Sequence, residues 1–154
     1  MRIAISADHG GVALKKDLVE YIQSLGYDLV DFGTETIDSV DYPDFALKVG
    51  KAIQNQEVEK GIVICGSGVG VCITANKMKG VYAATCHDIY SAAQGVEHDN
   101  MNVLCLGGRV ITVELGKALV RAFLEARFVG HDAGGERHLR RTNKVRKIEE
   151  EEMN

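Results

Sequence analysis

Five times along the chain a short apolar run gives way to a segment of helical period, and this alternation constrains the fold more than any other feature of the sequence. Residues 2–7 read as a strand, 12–25 as an amphipathic helix stopped by Gly26, and 27–31 as a second strand. After a loop over 32–41, the chain's only proline, Pro43, stands where a helix running to Ile53 would begin. The run Gly61-Ile62-Val63-Ile64 leads into Cys65 as a third strand, followed by a helix over 71–77. Strands at 81–85 and 102–106, with helices over 87–96 and 113–128, complete the series. Five βα units imply an α/β fold, a three-layer α/β/α sandwich whose parallel sheet is covered on both faces. The expected strand order is the common doubly wound one, 2-1-3-4-5. A further helix over about 134–154 closes the chain, and 154 residues make one domain with no room for a second.

In that order strands one and three are neighbours, their helices leave on opposite faces, and a crevice opens at their carboxyl ends. Strand one ends in Asp8-His9-Gly10-Gly11 and strand three in Cys65-Gly66-Ser67-Gly68-Val69-Gly70. An acid, an imidazole, a thiol, a hydroxyl and two glycine turns would meet there. Turn amides and a helix start bind anions and favour thiolate over thiol, which makes Cys65 a candidate base or nucleophile. Each residue also has a purely structural use. Cys65 can fill core, Asp8 can cap its helix, His9 can bond a nearby carbonyl and Ser67 can serve the turn. Cys72, Cys86 and Cys105 lie in apolar runs or on an apolar helix face and read as structural.

Several functions are disfavoured. A formal charge of −4 gives no electrostatic footprint for nucleic acid. No apolar stretch approaches bilayer length, and the short run after Met1 reaches Asp8 too soon for a secretory leader, so a cytoplasmic location without membrane contact is expected. Four cysteines lacking repeated Cys-x-x-Cys spacing suit a reducing compartment and argue against a disulfide frame or structural zinc. Gly66-Ser67-Gly68 begins a dinucleotide fingerprint, but Val71 stands where the third glycine belongs. His87-Asp88 and His98-Asp99 offer metal donors without metal-site spacing, so no metal is expected. The segment 136–147 is strongly basic and runs into Glu149 to Glu152. It is either a solvated terminal helix or, since Arg137 and Arg141 are four apart on one face, a phosphate clamp.

Asp8-His9-Gly10-Gly11, Asp41-Tyr42-Pro43-Asp44, Cys65-Gly66-Ser67-Gly68-Val69-Gly70, Ala75-Asn76-Lys77, the 97–104 segment with His98-Asp99-Asn100-Met101-Asn102, Gly107-Gly108-Arg109 and Arg137-His138-Leu139-Arg140-Arg141 occur in this order. Together they resemble the ribose/galactose sugar-phosphate isomerase family, whose type member is ribose-5-phosphate isomerase B, from residue 2 to about 148. The resemblance implies interconversion of ribose 5-phosphate and ribulose 5-phosphate without cofactor or metal. It makes Cys65 the base that moves a proton between C1 and C2 through an enediolate. Some relatives use a glutamate a few residues on instead, but Val71 to Ile73 offer no carboxylate here.

By the same resemblance Ser67 keeps the hydroxyl near the reacting carbons, where many relatives have threonine. The amides of Gly66, Ser67, Gly68, Val69 and Gly70 hold the enediolate oxygens. Asp8 orients sugar hydroxyls, Tyr42 and Arg109 fall on substrate-binding positions, and His9, Arg137 and Arg141 take the phosphate. His98 corresponds to the acid that opens the furanose ring. The resemblance also implies a homodimer or tetramer in which His98 and the C-terminal arginines reach a site whose Cys65 belongs to the neighbouring subunit. Two departures stand out. Relatives often read His-Asn-Asp-x-Asn, so Asp99, an acceptor only, replaces a substrate-binding asparagine. Glu136 is inserted where relatives have Gly-Gly-Arg-His. Isomerisation of a six-carbon substrate, allose 6-phosphate or galactose 6-phosphate, is the alternative, with a non-catalytic sugar-phosphate-binding subunit behind it.

Overall fold

Three strands are lined with side chains that tolerate no solvent, and these form the centre of the sheet. In the computed structural model, which describes residues 1–153, β1 (Arg2–Ala7) is buried beyond its first residue, while β3 (Lys60–Cys65) and β5 (Val103–Gly107) are buried throughout. The half-exposed β2 (Asp28–Asp31) and β4 (Ala83–Thr85) take the edges of the all-parallel sheet. Side chains alternate between faces. Ile3, Ile5, Ile62, Ile64, Leu104 and Leu106 pack in one core with α1 (Val12–Ser24), α4 (Ile89–Asp99) and α5 (Val113–Glu125). Ala4, Val63, Val103 and Cys105 pack in the other with α2 (Tyr42–Gln54) and α3 (Val69–Ala75).

The strand order is β2-β1-β3-β5-β4, which corrects the expected 2-1-3-4-5. The physical reason lies in the two last strands. Val103 to Leu106 can be covered on both faces, whereas Ala83-Ala84-Thr85 is short and small and belongs at an edge. The connection from β3 therefore passes beyond β5's place to β4 and returns. A right-handed return puts α4 on the face opposite α3, beside α1 and α5. The β4 edge is closed locally, because Asn76 just past α3 accepts the Ala83 amide at 2.9 Å and donates to the Ala83 carbonyl at 2.8 Å.

Helix ends follow local chemistry. Pro43 lies in the first turn of α2, Asp88 caps α4 by accepting from the Ser91 amide, and Asn100 ends α4 in the left-handed region at φ 57°. That carries α4 to Asp99, past its expected end at 96. α5 stops at Glu125, short of the expected 128, because the buried Lys60 ammonium takes the carbonyls of Phe123 and Ala126 at 2.7 and 2.8 Å. Burial pushes the Lys60 pKa down to about 8. Lys15, also buried, ties α1 to Asp31 at the end of β2 and to Glu35. The last helix, α6 (Glu136–Glu152), rests against α4 and buries His138 and Thr142. Glu149 accepts from the Gly80 amide at 2.8 Å and the Tyr82 hydroxyl at 2.9 Å, so the acidic end is partly a docking element.

Candidate active site

Cys65 is the last residue of β3, almost fully buried, and its sulfur accepts the Gly68 amide at 3.1 Å. The turn that follows is shaped by glycine. Gly68 sits at φ 80°, and its carbonyl accepts from the Thr85 hydroxyl at 2.8 Å. Register sets Gly107 of β5 opposite Cys65, and the Gly108 amide donates to the Cys65 carbonyl at 2.8 Å. The Arg109 amide bonds the Gly66 carbonyl at 3.0 Å, and a Cβ on Gly66 would lie 2.9 Å from the Arg109 guanidinium. From β1, Gly10 approaches so closely that its Cβ would be 3.0 Å from the Gly66 amide nitrogen. Three strand-end turns thus pack against one another around the thiol.

A cavity of about 460 Å³ opens over this junction. Asp8, Tyr42, Cys65, Gly66, Ser67, Gly70 and Arg109 line it, all of them residues singled out from sequence, together with Val110, which was not. Asp8 does cap its turn, accepting from the Gly10 amide at 2.9 Å, yet it also faces the cavity. The Tyr42 ring lies over Gly70, where a Cβ would come 2.8 Å from it. Gly68 and Val69 shape the turn without lining the cavity, and the Val69 amide donates to the Ser67 hydroxyl at 3.2 Å. His9 does not line the cavity, and its Nδ1 accepts the Val40 amide at 3.2 Å.

His98 and Arg137 are elsewhere. They line a second cavity of about 260 Å³ with His138, Asp132 and the Gly134-Gly135 turn, and none of its lining residues lines the first. Arg141 follows one turn along α6, exposed like Arg137. The extra Glu136 is the first residue of α6, so the arginines keep their common face. Asp99, exposed at the end of α4, faces a third hollow beside Tyr82 and Val145. Among the described residues, no three His, Cys, Asp or Glu side chains converge as a metal site. No described helix is long and apolar enough to cross a membrane.

The Ribose/Galactose Isomerase family description matches residues 3–145. The chain belongs to the ribose/galactose isomerase family. Ribose-5-phosphate isomerase B of Escherichia coli is 39% identical over 149 residues, covering 97% of each chain. D-erythrulose-4-phosphate isomerase of Pectobacterium atrosepticum is 40% identical over 131 residues, covering 84% of this chain and 86% of its own. The structure of Clostridium thermocellum ribose-5-phosphate isomerase B superposes with a TM-score of 0.92 at 43% identity, covering 98% of this chain and 99% of that one. The chain is thus a sugar-phosphate isomerase, an intramolecular oxidoreductase.

In this isomerase Cys72 and Cys105 share the core that holds Cys65, and Cys86 lies in the core on the other face of the sheet. The neighbouring Cys105, with help from Thr85 and Asn76, brings the Cys72 pKa down to about 6 against the opposing effect of burial. Burial pushes Cys86 up to about 11, and Cys105 is raised well above the ordinary thiol value by the neighbouring Cys72 and by burial. The sequence gives no sign of this pairing, because residues 72 and 105 lie on different elements. Two residues around His98 were not singled out from sequence, Gln94 on the same helix and His138 on α6. The Gln94 side chain meets His98 Nδ1 at 3.0 Å, and the His138 ring stacks on His98.

Proposed function

We propose that the isomerase interconverts D-ribose 5-phosphate and D-ribulose 5-phosphate, with Cys65 as the base. The observation that carries this reading is the Cys65 thiol at the floor of a cavity walled by Asp8, Ser67 and Arg109, with no carboxylate at 71–73 to replace it. In the aldose-to-ketose direction the thiolate removes the C2 proton and the electron pair passes to the C1 carbonyl, giving an enediolate. Return of that proton to C1, with transfer of the C2 hydroxyl proton to O1, leaves the ketone at C2. The amides of Gly66, Ser67 and Gly70 and the Ser67 hydroxyl hold the developing oxyanions, a service commonly worth about 3 to 4 kcal/mol, while the Gly68 amide is taken by the Cys65 sulfur and the Val69 amide by Ser67. Asp8 and Tyr42 orient the sugar. Cys65 carries the carbon-bound proton, and the proposed route includes no metal or cofactor.

The remaining groups come from a second copy of the chain. His98 and Arg137 line a cavity apart from Cys65 in the same subunit, which supports a homo-oligomer with the site between subunits. His98 opens the furanose and Asp99 accepts a sugar hydroxyl. Arg137 and Arg141 hold the phosphate together with His9, whose Nδ1 is occupied by the Val40 amide and whose Nε2 is left to donate. The enzyme works in the cytoplasm, with neither nucleic acid nor membrane as partner. The Pectobacterium relative, named for a four-carbon sugar, and the family's galactose members make substrate length the second reading. Purified protein is to be followed with ribose 5-phosphate in chelator, alongside allose 6-phosphate and erythrulose 4-phosphate. Fastest turnover of ribose 5-phosphate is expected. Turnover of only another sugar would keep the chemistry and overturn the substrate, and silence on all three would overturn both.

A further inference from the structure

We propose that Gln94 and His138 are positioning residues that hold His98 as a neutral imidazole with its proton on Nε2, a proposal that rests on His98 being the ring-opening acid. Gln94 and His98 are four apart on α4, so they share a face. The Gln94 amide nitrogen is 3.0 Å from His98 Nδ1, and an amide nitrogen can only donate. Nδ1 must then accept, which leaves the ring proton on Nε2, the nitrogen free to deliver it to a furanose oxygen.

The ring plane is fixed independently. His138 reaches over from α6 and stacks on His98 with centroids 3.9 Å apart and planes 13° from parallel. His138 is 5% exposed, so the surrounding structure fixes its own ring. The loop before α6 is pinned to α4 by the Val129 amide on the Glu97 carbonyl at 3.0 Å, which fixes the spacing of the two helices at this point. The charged groups around the pair are Arg137 and Arg141 on α6, Asp99 on α4, and Asp132 in the preceding loop, which is already paired with Arg127 at 2.8 Å. Burial and the two neighbouring arginines lower the His138 pKa, which favours the neutral ring under His98. One residue therefore sets the tautomer of the acid and the other its plane.

Long-range proton–nitrogen spectra of the intact protein read the tautomer directly. The His98 ring is expected to be protonated on Nε2 in the native chain and on Nδ1 in Gln94→Glu, where a carboxylate would accept from it. Gln94→Glu and His138→Ala should lower kcat on cyclic ribose 5-phosphate by about 10²-fold while the open-chain ribulose 5-phosphate is used almost normally. His138→Phe, which keeps a ring to stack, should restore most of the loss. A native His98 protonated on Nδ1, or variants that leave both tautomer and turnover unchanged while His98→Asn is impaired, would overturn the positioning role. An unimpaired His98→Asn would instead remove the ring-opening assignment, and the proposal with it.

Discussion

Placing alanine at Gly68 tests whether the turn behind Cys65 is built as closely as its geometry requires. The residue lies at φ 80°, where an L side chain costs about 1–2 kcal/mol. Its Cβ would also sit 2.9 Å from the Leu106 carbonyl carbon, 3.1 Å from the Gly107 nitrogen and 3.0 Å from the Thr85 methyl. Two of those neighbours are backbone of the fully buried β5 and cannot rotate away, so overpacking adds about 1–3 kcal/mol. Gly26→Ala supplies the control, since Gly26 has φ 88° and no atom within 4 Å of its Cβ. It should cost only the backbone contribution, about 1–2 kcal/mol. Urea denaturation of both variants reads the difference in midpoint at constant m. Turnover should fall only in Gly68→Ala, because the Gly68 amide is the one bonded to the Cys65 sulfur. Equal destabilisation by the two substitutions, with turnover unchanged in both, would refute the close-packed turn.

Cys65→Ala should abolish exchange of the C1 and C2 protons with solvent, a loss of at least about 10²-fold in kcat, while substrate still binds. Substitution is the right probe, since a thiol reagent would also meet Cys72 with its pKa near 6. Mixing Cys65→Ala with His98→Asn and assaying cyclic ribose 5-phosphate should give more activity than either variant alone through hetero-oligomers holding one intact site, and no gain on refolding together would remove the shared-site reading. Arg137→Ala combined with Arg141→Ala should chiefly raise KM; an unchanged KM would return α6 to a solvated role. Lys60 gives a pH signature. Its folded pKa near 8 lies below the ordinary 10.5, so between these values the unfolded chain holds a proton that the folded chain lacks, and stability should rise with pH. The slope can reach about 1.4 kcal/mol per pH unit and should vanish in Lys60→Met.

Much of the fold could be read from residue patterns, because strand-length apolar runs and helical period are local properties. Even the switch-point crevice between β1 and β3 follows from that alternation and from Asp8, Cys65 and their glycines. Three things could not be read. The order of β4 and β5 depends on comparing how far each can be buried, a relation between distant segments. The early stop of α5 depends on Lys60 at the start of β3 capping it from 63 and 66 residues away in sequence. The environment of His98 is assembled by Gln94 from the same helix and His138 from α6, and only the first of these carries a sequence signal, its four-residue spacing.

The displaced strand order bears on the chemistry as well as the topology. In the order 2-1-3-4-5 the end of β4, Cys86-His87-Asp88, would stand beside Cys65 and present an acid to the reacting carbons. With β5 adjacent instead, the neighbour is Gly107-Gly108-Arg109, which offers a guanidinium and closely packed backbone. A carboxylate at that place would oppose both a thiolate and an enediolate, whereas a cation favours each. His87 still takes part, one layer back, where its Nε2 accepts the Gly107 amide at 3.0 Å and steadies the strand end. Moving the shortest strand to the edge thus brings Arg109, rather than Asp88, into the cavity that Asp8 and Cys65 line.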